Sequence, residues 1–229
     1  MIIATARMRD EAVNVERFCR EYGKIADMIL IADGGSEDNS KELASNFNRV
    51  KIIDFPERVH ANEDVWYNPQ GKHTNFLIDH AIGMGAKWII FDDMDSAPNY
   101  TLKQNFVKTI IDAEANMSEA IYCPRAYLYG DEHWFPNMTK DYAVLWAWQA
   151  KINLKFDEVV KSVKPEATPD EDDRWTLALP HALLHYFAPN EEEIQRKLEH
   201  YKVVRDHPVE LHPLKFGGPV EGLPGWARL

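Results

Sequence analysis

Cysteine is almost missing from these 229 residues, with Cys19 and Cys123 the only two. Two thiols cannot build a disulfide framework, and no Cys/His group has the spacing of a zinc site. The sequence therefore reads as that of a protein from a reducing compartment, with two buried and inert thiols. Long apolar runs are also lacking. The longest, Tyr142 to Trp148, falls far short of the roughly 20 residues a membrane helix needs. The N-terminus has no basic-then-apolar signal layout either, so the expectation is a cytoplasmic protein without integral membrane association. Basic charge is scarce: 26 Lys and Arg against 37 Asp and Glu leave −11, a field that repels nucleic acid and anionic membranes. Any polyanion would need a local basic patch, for which Lys197, Lys202 and Arg205 are the candidates. No internal repeat is present. Gly71-Lys72 is too short, and wrongly spaced, for a Walker loop.

What is present is an ordinary globular composition, 45% hydrophobic and 28% charged, on a length suited to one α/β domain. Apolar runs at 2–6, 28–32, 50–55 and 88–91 alternate with helical patterns over 10–22, 38–47 and 74–84. Short turns join them. That alternation predicts βα units and a mainly parallel, doubly wound sheet, in which ligands collect at the carboxyl ends of the strands. The second half is less regular. A helix is expected over 101–117, an aromatic-rich strand over 120–129, and an apolar element of undecided type over 144–152. Residues 163–174 turn to Pro, Asp and Glu and read as a solvated loop or flap. An amphipathic helix follows over 190–204, and the Pro- and Gly-rich tail from His207 should wrap the surface.

Two acidic turns end apolar runs. Asp92-Asp93-Met94-Asp95 directly follows Trp88 to Phe91, and three carboxylates there cost stability unless something positive sits among them. A divalent cation is the natural candidate, since acids one residue apart can reach one hard cation whose shell substrate phosphate completes. The bland reading is an acidic turn before the next helix. The other turn, Asp33-Gly34-Gly35-Ser36-Glu37-Asp38, allows close backbone approach to a ligand, and its acid could accept from a base N–H or a ribose hydroxyl. Read alone, it is a tight strand-to-helix turn. Gly71-Lys72-His73-Thr74-Asn75 opens a helix, where free N–H groups and a lysine could meet an anion. Of the aromatics, Trp146 and Trp148 suit a bulky core, and Trp134, beside Asp131 and His133, suits an acceptor pocket.

In their order along the chain, Ala4-Thr5-Ala6-Arg7 with Asp10-Glu11, Ile31-Ala32-Asp33-Gly34-Gly35-Ser36-Glu37-Asp38, Gly71-Lys72 with Asn75, and Phe91-Asp92-Asp93-Met94-Asp95 resemble a family-2 glycosyltransferase. The resemblance covers about the first hundred residues. It implies a single GT-A domain over 1–229, with a mainly parallel central sheet flanked by helices. Residues 1–100 would form the nucleotide-sugar half, and 101–229 the acceptor half with the C-terminal helix and tail. The strand end Thr5-Ala6-Arg7, with Glu11 and Asp33, would hold the nucleotide base, and Lys72 and Asn75 would line the donor site. Asp38 matches a second acid of more structural role. Asp93 and Asp95 match the family's Asp-x-Asp motif, which binds Mn²⁺ or Mg²⁺ and the donor's ribose and phosphates. Leu183-Leu184-His185-Tyr186 resembles a stretch whose histidine completes the metal shell in some relatives, so His185 is the expected third ligand and His181 the fallback. Inverting members use a carboxylate as general base, and Asp172 and Asp131 compete for that role.

The implied activity is metal-dependent transfer of a sugar from a nucleotide-diphosphate donor to an acceptor hydroxyl, with inversion. The acceptor stays open between a glycan, a lipid-linked sugar, a protein and a modified nucleic acid. One alternative is a sugar-phosphate nucleotidyltransferase, whose glycine-rich loop after the first strand is not matched by Arg7-Met8-Arg9-Asp10. The other is a non-catalytic nucleotide-sugar-binding module.

Overall fold

The computed structural model describes residues 1–57, 70–129, 133–134, 140–152, 154–156, 175–177 and 183–188. Strand β1 (Ile2–Met8), helix α1 (Val15–Tyr22), β2 (Met28–Asp33), α2 (Ser40–Ser45), β3 (Val50–Asp54), α3 (Gln70–Gly83) and β4 (Trp88–Phe91) form the regular first half. After the acidic turn come β5 (Ser96–Pro98), α4 (Tyr100–Ala115), β6 (Ala120–Tyr129), β7 (His133–Trp134), β8 (Lys140–Gln149), a 3₁₀ turn (Ala150–Ile152), β9 (Trp175–Leu177) and β10 (Leu183–Ala188). The undecided element over 144–152 is thus mostly strand. Helix α4 begins where Asn99 accepts the Leu102 N–H at 2.8 Å, so an asparagine and not the acidic turn caps it.

Among the described residues the strands join one sheet in the order β3-β2-β1-β4-β8-β6-β10-β5, with β7 and β9 attached to β6. Strands β3, β2, β1 and β4 run parallel, and β8 is antiparallel to both β4 and β6. Only residues 92–95 separate β4 from β5, yet β5 stands four places away along the sheet. Five extended residue steps span at most about 18 Å, whereas four strand spacings laid flat cover about 19 Å. The sheet therefore curls, and its last strands fold back toward the end of β4.

Alternation along the strands feeds two cores. Ala4, Ile29, Ile31, Trp88 and Ile90 pack with Phe18 and Tyr22 of α1 and Leu102 and Phe106 of α4 on one face. Ile3, Leu30, Ala32, Ile89 and Phe91 pack with Leu77, Ile78 and Ala81 of α3 on the other. Trp146 and Trp148 are wholly buried, as a bulky core requires. They belong to different cores although two residues apart, because the β6–β8 register shifts between Ile121 and Tyr122, a bulge at Trp146. Cys19 and Cys123 are free and buried. Burial pushes the Cys19 thiol up to about 12 and Cys123 well above its ordinary range, so both are inert. No helix among the described residues is long and apolar enough to cross a membrane.

Candidate functional site

The carboxyl ends of β2, β1 and β4 share one edge of the sheet, with Met8 level with Asp33 and Thr5 level with Phe91. From β1 the chain moves to β2 and β3 on one side, and then returns to β4 on the other. The strand order reverses between β1 and β4, and a crevice opens at such a reversal. Arg7 stands on one side of it and the acidic turn on the other.

Burial alternates along that turn: Asp92 and Met94 are buried, Asp93 and Asp95 half-buried. The three acids and their neighbours thus divide into two roles. The Asp92 carboxylate faces inward, where it accepts from the Tyr22 hydroxyl, from Nη2 of Arg125 at 2.7 Å and from the Asp93 N–H at 2.9 Å. Trp146 Nε1 donates to the same Tyr22 hydroxyl at 3.3 Å. Burial raises the Asp92 carboxyl above its usual range despite Arg125, and burial together with Asp92 lifts the Tyr22 phenol well above its own. Asp93 meets Arg7 Nη2 at 3.0 Å through Oδ1 and Arg125 Nη1 at 3.3 Å through Oδ2. The Arg7 guanidinium lies 5.4 Å from the centroid of the Phe91 ring. Two arginines of the chain itself therefore supply positive charge to Asp92 and Asp93.

Thr5 and Ala6 are wholly buried. Thr5 Oγ1 donates to the Ile90 carbonyl at 2.8 Å; these two side chains, expected at a donor, are sealed in the sheet and set the position of Arg7. Asp33, 3% exposed, closes its own turn by accepting the Gly35 and Ser36 N–H groups at 3.2 Å, with Lys41 Nζ at 3.6 Å. Gly35 makes the turn possible at φ 91°, a value that a Cβ disfavours. Asp10 knits this turn to the end of β1: it accepts the Glu37 N–H at 2.7 Å and donates its own N–H to Ser36 Oγ at 3.0 Å. Glu11 accepts from Asn14 Nδ2 at 2.9 Å, and its N–H donates to Ser40 Oγ at 2.7 Å. Asp38 accepts the N–H groups of Ser40 and Ala12 at 2.9 and 3.0 Å. Burial works against its charge, but these bonds outweigh it and hold Asp38 below the usual carboxylate range.

Helix α3 starts at Gln70, so Gly71, Lys72 and His73 form its first turn. Lys72 Nζ pairs with Glu57 at 3.3 Å. His73 stacks on Phe55 with centroids 4.2 Å apart, and Nε2 meets the Ala32 carbonyl at 2.9 Å. Asn75 is tied to the chain beyond the sheet: Nδ2 donates to the Phe156 carbonyl at 2.9 Å and Oδ1 accepts the Phe156 N–H at 2.8 Å. Both ends of its amide are spent on backbone.

Of the second-half candidates, Asp131, Asp172 and His181 lie outside the described residues, as do the expected loop at 163–174, the helix at 190–204 and the tail. The backbone of Trp134 pairs with Leu128 of β6, beyond the level of Arg125 on the side of the strand ends. The backbone of His185 pairs with Ser96, one residue past Asp95, and with Tyr127. Among the described residues no three His, Cys, Asp or Glu side chains gather as a metal cage. The donor set that remains, Asp93 and Asp95, fits a cation that shares its shell with phosphate oxygens, as Mg²⁺ and Mn²⁺ do. Such a cation has to compete with two guanidiniums for Asp93.

Two residues of this site escape the sequence reading, Arg125 and Tyr22. The signal for Arg125 is a lone charge in the apolar strand Ile121-Tyr122-Cys123-Pro124-Arg125, which obliges a partner. Tyr22 carries no comparable signal.

No protein-family model and no curated protein matches the chain. Solved structures do. S. aureus TarS 1-349 in complex with UDP-GlcNAc superposes at TM-score 0.56 and 10% identity over 88% of this chain and 64% of that one. S. aureus TarS gives 0.55 and 12% over 88% and 39%. A mycobacterial protein gives 0.50 and 11% over 82% and 65%. The chain thus spans less than two thirds of each of these structures. At such identities the likeness is one of architecture, and the architecture is the GT-A fold.

Proposed function

We propose that this chain is a nucleotide-diphospho-sugar glycosyltransferase whose donor sits at the β1–β4 crevice, with its diphosphate beside Asp93 and Asp95. One observation supports this above the others. In a GT-A sheet, where the strand order reverses, Asp93 and Asp95 stand half-exposed on the open side of the turn while Asp92 is committed inward. The buried acid fixes the turn, and the two half-buried acids, Asp93 paired with Arg7 and Arg125, are the ones within reach of a ligand.

In this reading Asp33, Glu11 and Arg7, at the neighbouring strand ends, frame the donor's nucleoside, and Lys72 lies on the same side. Asp93 and Asp95 hold Mn²⁺ or Mg²⁺, with His185 as the third protein ligand on the strand that runs beside Ser96. When bound, the cation offsets the charge of the departing nucleoside diphosphate. Trp134 flanks the acceptor, and Asp131 or Asp172 takes the proton of its hydroxyl. Residues 1–100 bind the donor and 101–229 the acceptor, with transfer by inversion. Since TarS has been solved with UDP-GlcNAc, UDP-sugars are the first donors to try.

The test is a thermal-shift screen of nucleotide sugars with and without Mn²⁺, because a ligand bound only by the native state raises the melting temperature by mass action. A UDP-sugar should raise it, more so with Mn²⁺, and Asp95→Ala should abolish both that increment and donor hydrolysis while retaining the wild-type circular dichroism. Full activity of Asp95→Ala in a chelator would refute the proposal.

A further inference from the structure

The two guanidiniums on Asp93 are not equivalent. Arg125 has a second and shorter bond, Nη2 to Asp92 Oδ1 at 2.7 Å, on a carboxylate whose side chain is 0% exposed and which Tyr22 also holds. It is anchored from behind. Arg7 leaves the end of β1, crosses the face of Phe91 and pairs with Asp93 at 3.0 Å, its side chain 15% exposed. Around the crevice stand Arg7, Arg125, Asp92, Asp93 and Asp95. A divalent cation arriving at Asp93 would stand against both arginines, whereas a diphosphate offers the paired acceptor oxygens that a guanidinium fork binds best.

We infer that Arg7 is an exchanging ligand: in the free protein it closes on Asp93, and in the donor complex it passes to the diphosphate and yields Asp93 to the cation. Arg125, fixed on Asp92, stays in place and keeps the Asp93 carboxylate aimed. Arg7 thereby opposes metal binding to the empty site and favours the anion, so metal and nucleotide become energetically coupled through one side chain. This inference depends on the donor reading above and assigns Arg7 to the diphosphate instead of the base.

The test compares wild type with Arg7→Met, which retains the apolar stem over Phe91, and with Arg7→Lys. Two titrations are run on each: Mn²⁺ alone, followed by electron paramagnetic resonance, and UDP in EDTA, followed by calorimetry. Circular dichroism and melting confirm the fold, and Arg7→Lys carries the comparison if Arg7→Met fails to fold. Arg7→Met should bind Mn²⁺ alone roughly fivefold tighter or more and UDP without metal roughly tenfold weaker, with Arg7→Lys between it and wild type. Opposite signs in the two titrations are a signature that a merely structural arginine cannot give. If wild type binds UDP but the variants bind Mn²⁺ no tighter, or bind UDP equally well, the exchange is overturned and the donor reading survives. If wild type binds neither UDP nor pyrophosphate, with or without Mn²⁺, both fall together.

Discussion

Replacing Tyr22 by Phe removes one oxygen from the fully buried interior behind the acidic turn. That oxygen donates to Asp92 and accepts from Trp146 Nε1 at 3.3 Å. Its loss strands a buried carboxylate oxygen and a buried indole N–H, while the ring and its apolar burial stay. An unsatisfied buried group costs about 1–3 kcal/mol, with charged groups at the upper end. The carboxylate should therefore account for about 2 kcal/mol and the long indole bond for about 1 kcal/mol. The sum, about 3 kcal/mol, is a large fraction of the roughly 5–15 kcal/mol that holds a domain folded. In a chain of this length it corresponds to a fall in melting temperature of about 6–12 °C. Urea unfolding followed by tryptophan fluorescence and circular dichroism measures it, and an unchanged slope shows that the native state is still compact. A loss under about 0.5 kcal/mol, the level of an ordinary surface change, would refute the claim that Tyr22 supports Asp92.

Two further outcomes are expected. Burial, aided by the charge of Arg7, pushes the His73 imidazole down from 6.5 to about 3. The unfolded chain therefore takes up a proton below 6.5 that the native state refuses, and stability should fall with pH by up to about 1.4 kcal/mol per unit through that window. His73→Gln should flatten that slope in urea midpoints taken between pH 7 and 4.5, and an unaltered slope would contradict the neutral buried ring. Asn75→Ala leaves the Phe156 N–H and carbonyl without their partner; it should cost about 2 kcal/mol. If Asn75 instead served the donor, the loss would appear in the Michaelis constant with stability intact.

The parallel half of the fold was legible because each apolar run was short, bounded and alternately packed. Ile2–Met8, Met28–Asp33, Val50–Asp54 and Trp88–Phe91 lie where the runs put them. Pairing in the second half could not be read the same way, since β5 and β10 meet through a curl of the sheet that no local pattern encodes. At the site, the position of the acids at strand ends was legible and their partners were not. A run of three carboxylates announces a missing positive charge but not its source. Arg7 and Arg125 lie 86 and 32 residues from Asp93, so the pairing exists only in the folded chain. Asn75 shows the same limit, because its partner Phe156 is 81 residues distant.

The division among the acids explains why a buried ion pair is kept at the edge of this sheet. A buried salt bridge such as Asp92–Arg125 contributes little net stability, since desolvating both ions offsets their attraction. An apolar pair could fill the same space. What an apolar pair cannot do is orient a neighbouring carboxylate: Arg125 spans Asp92 and Asp93 with its two terminal nitrogens, so the direction of Asp93 is set by a post fixed to α1 through Tyr22 and to β8 through Trp146. Cutting that post should loosen Asp93 as well as destabilise the sheet. Arg125→Met leaves the buried Asp92 without its cation, so it should cost about 3–5 kcal/mol and, in the protein that stays folded, also weaken Mn²⁺ binding in the presence of UDP. A variant that loses stability and keeps its Mn²⁺ affinity would show that the pair serves packing and not aim.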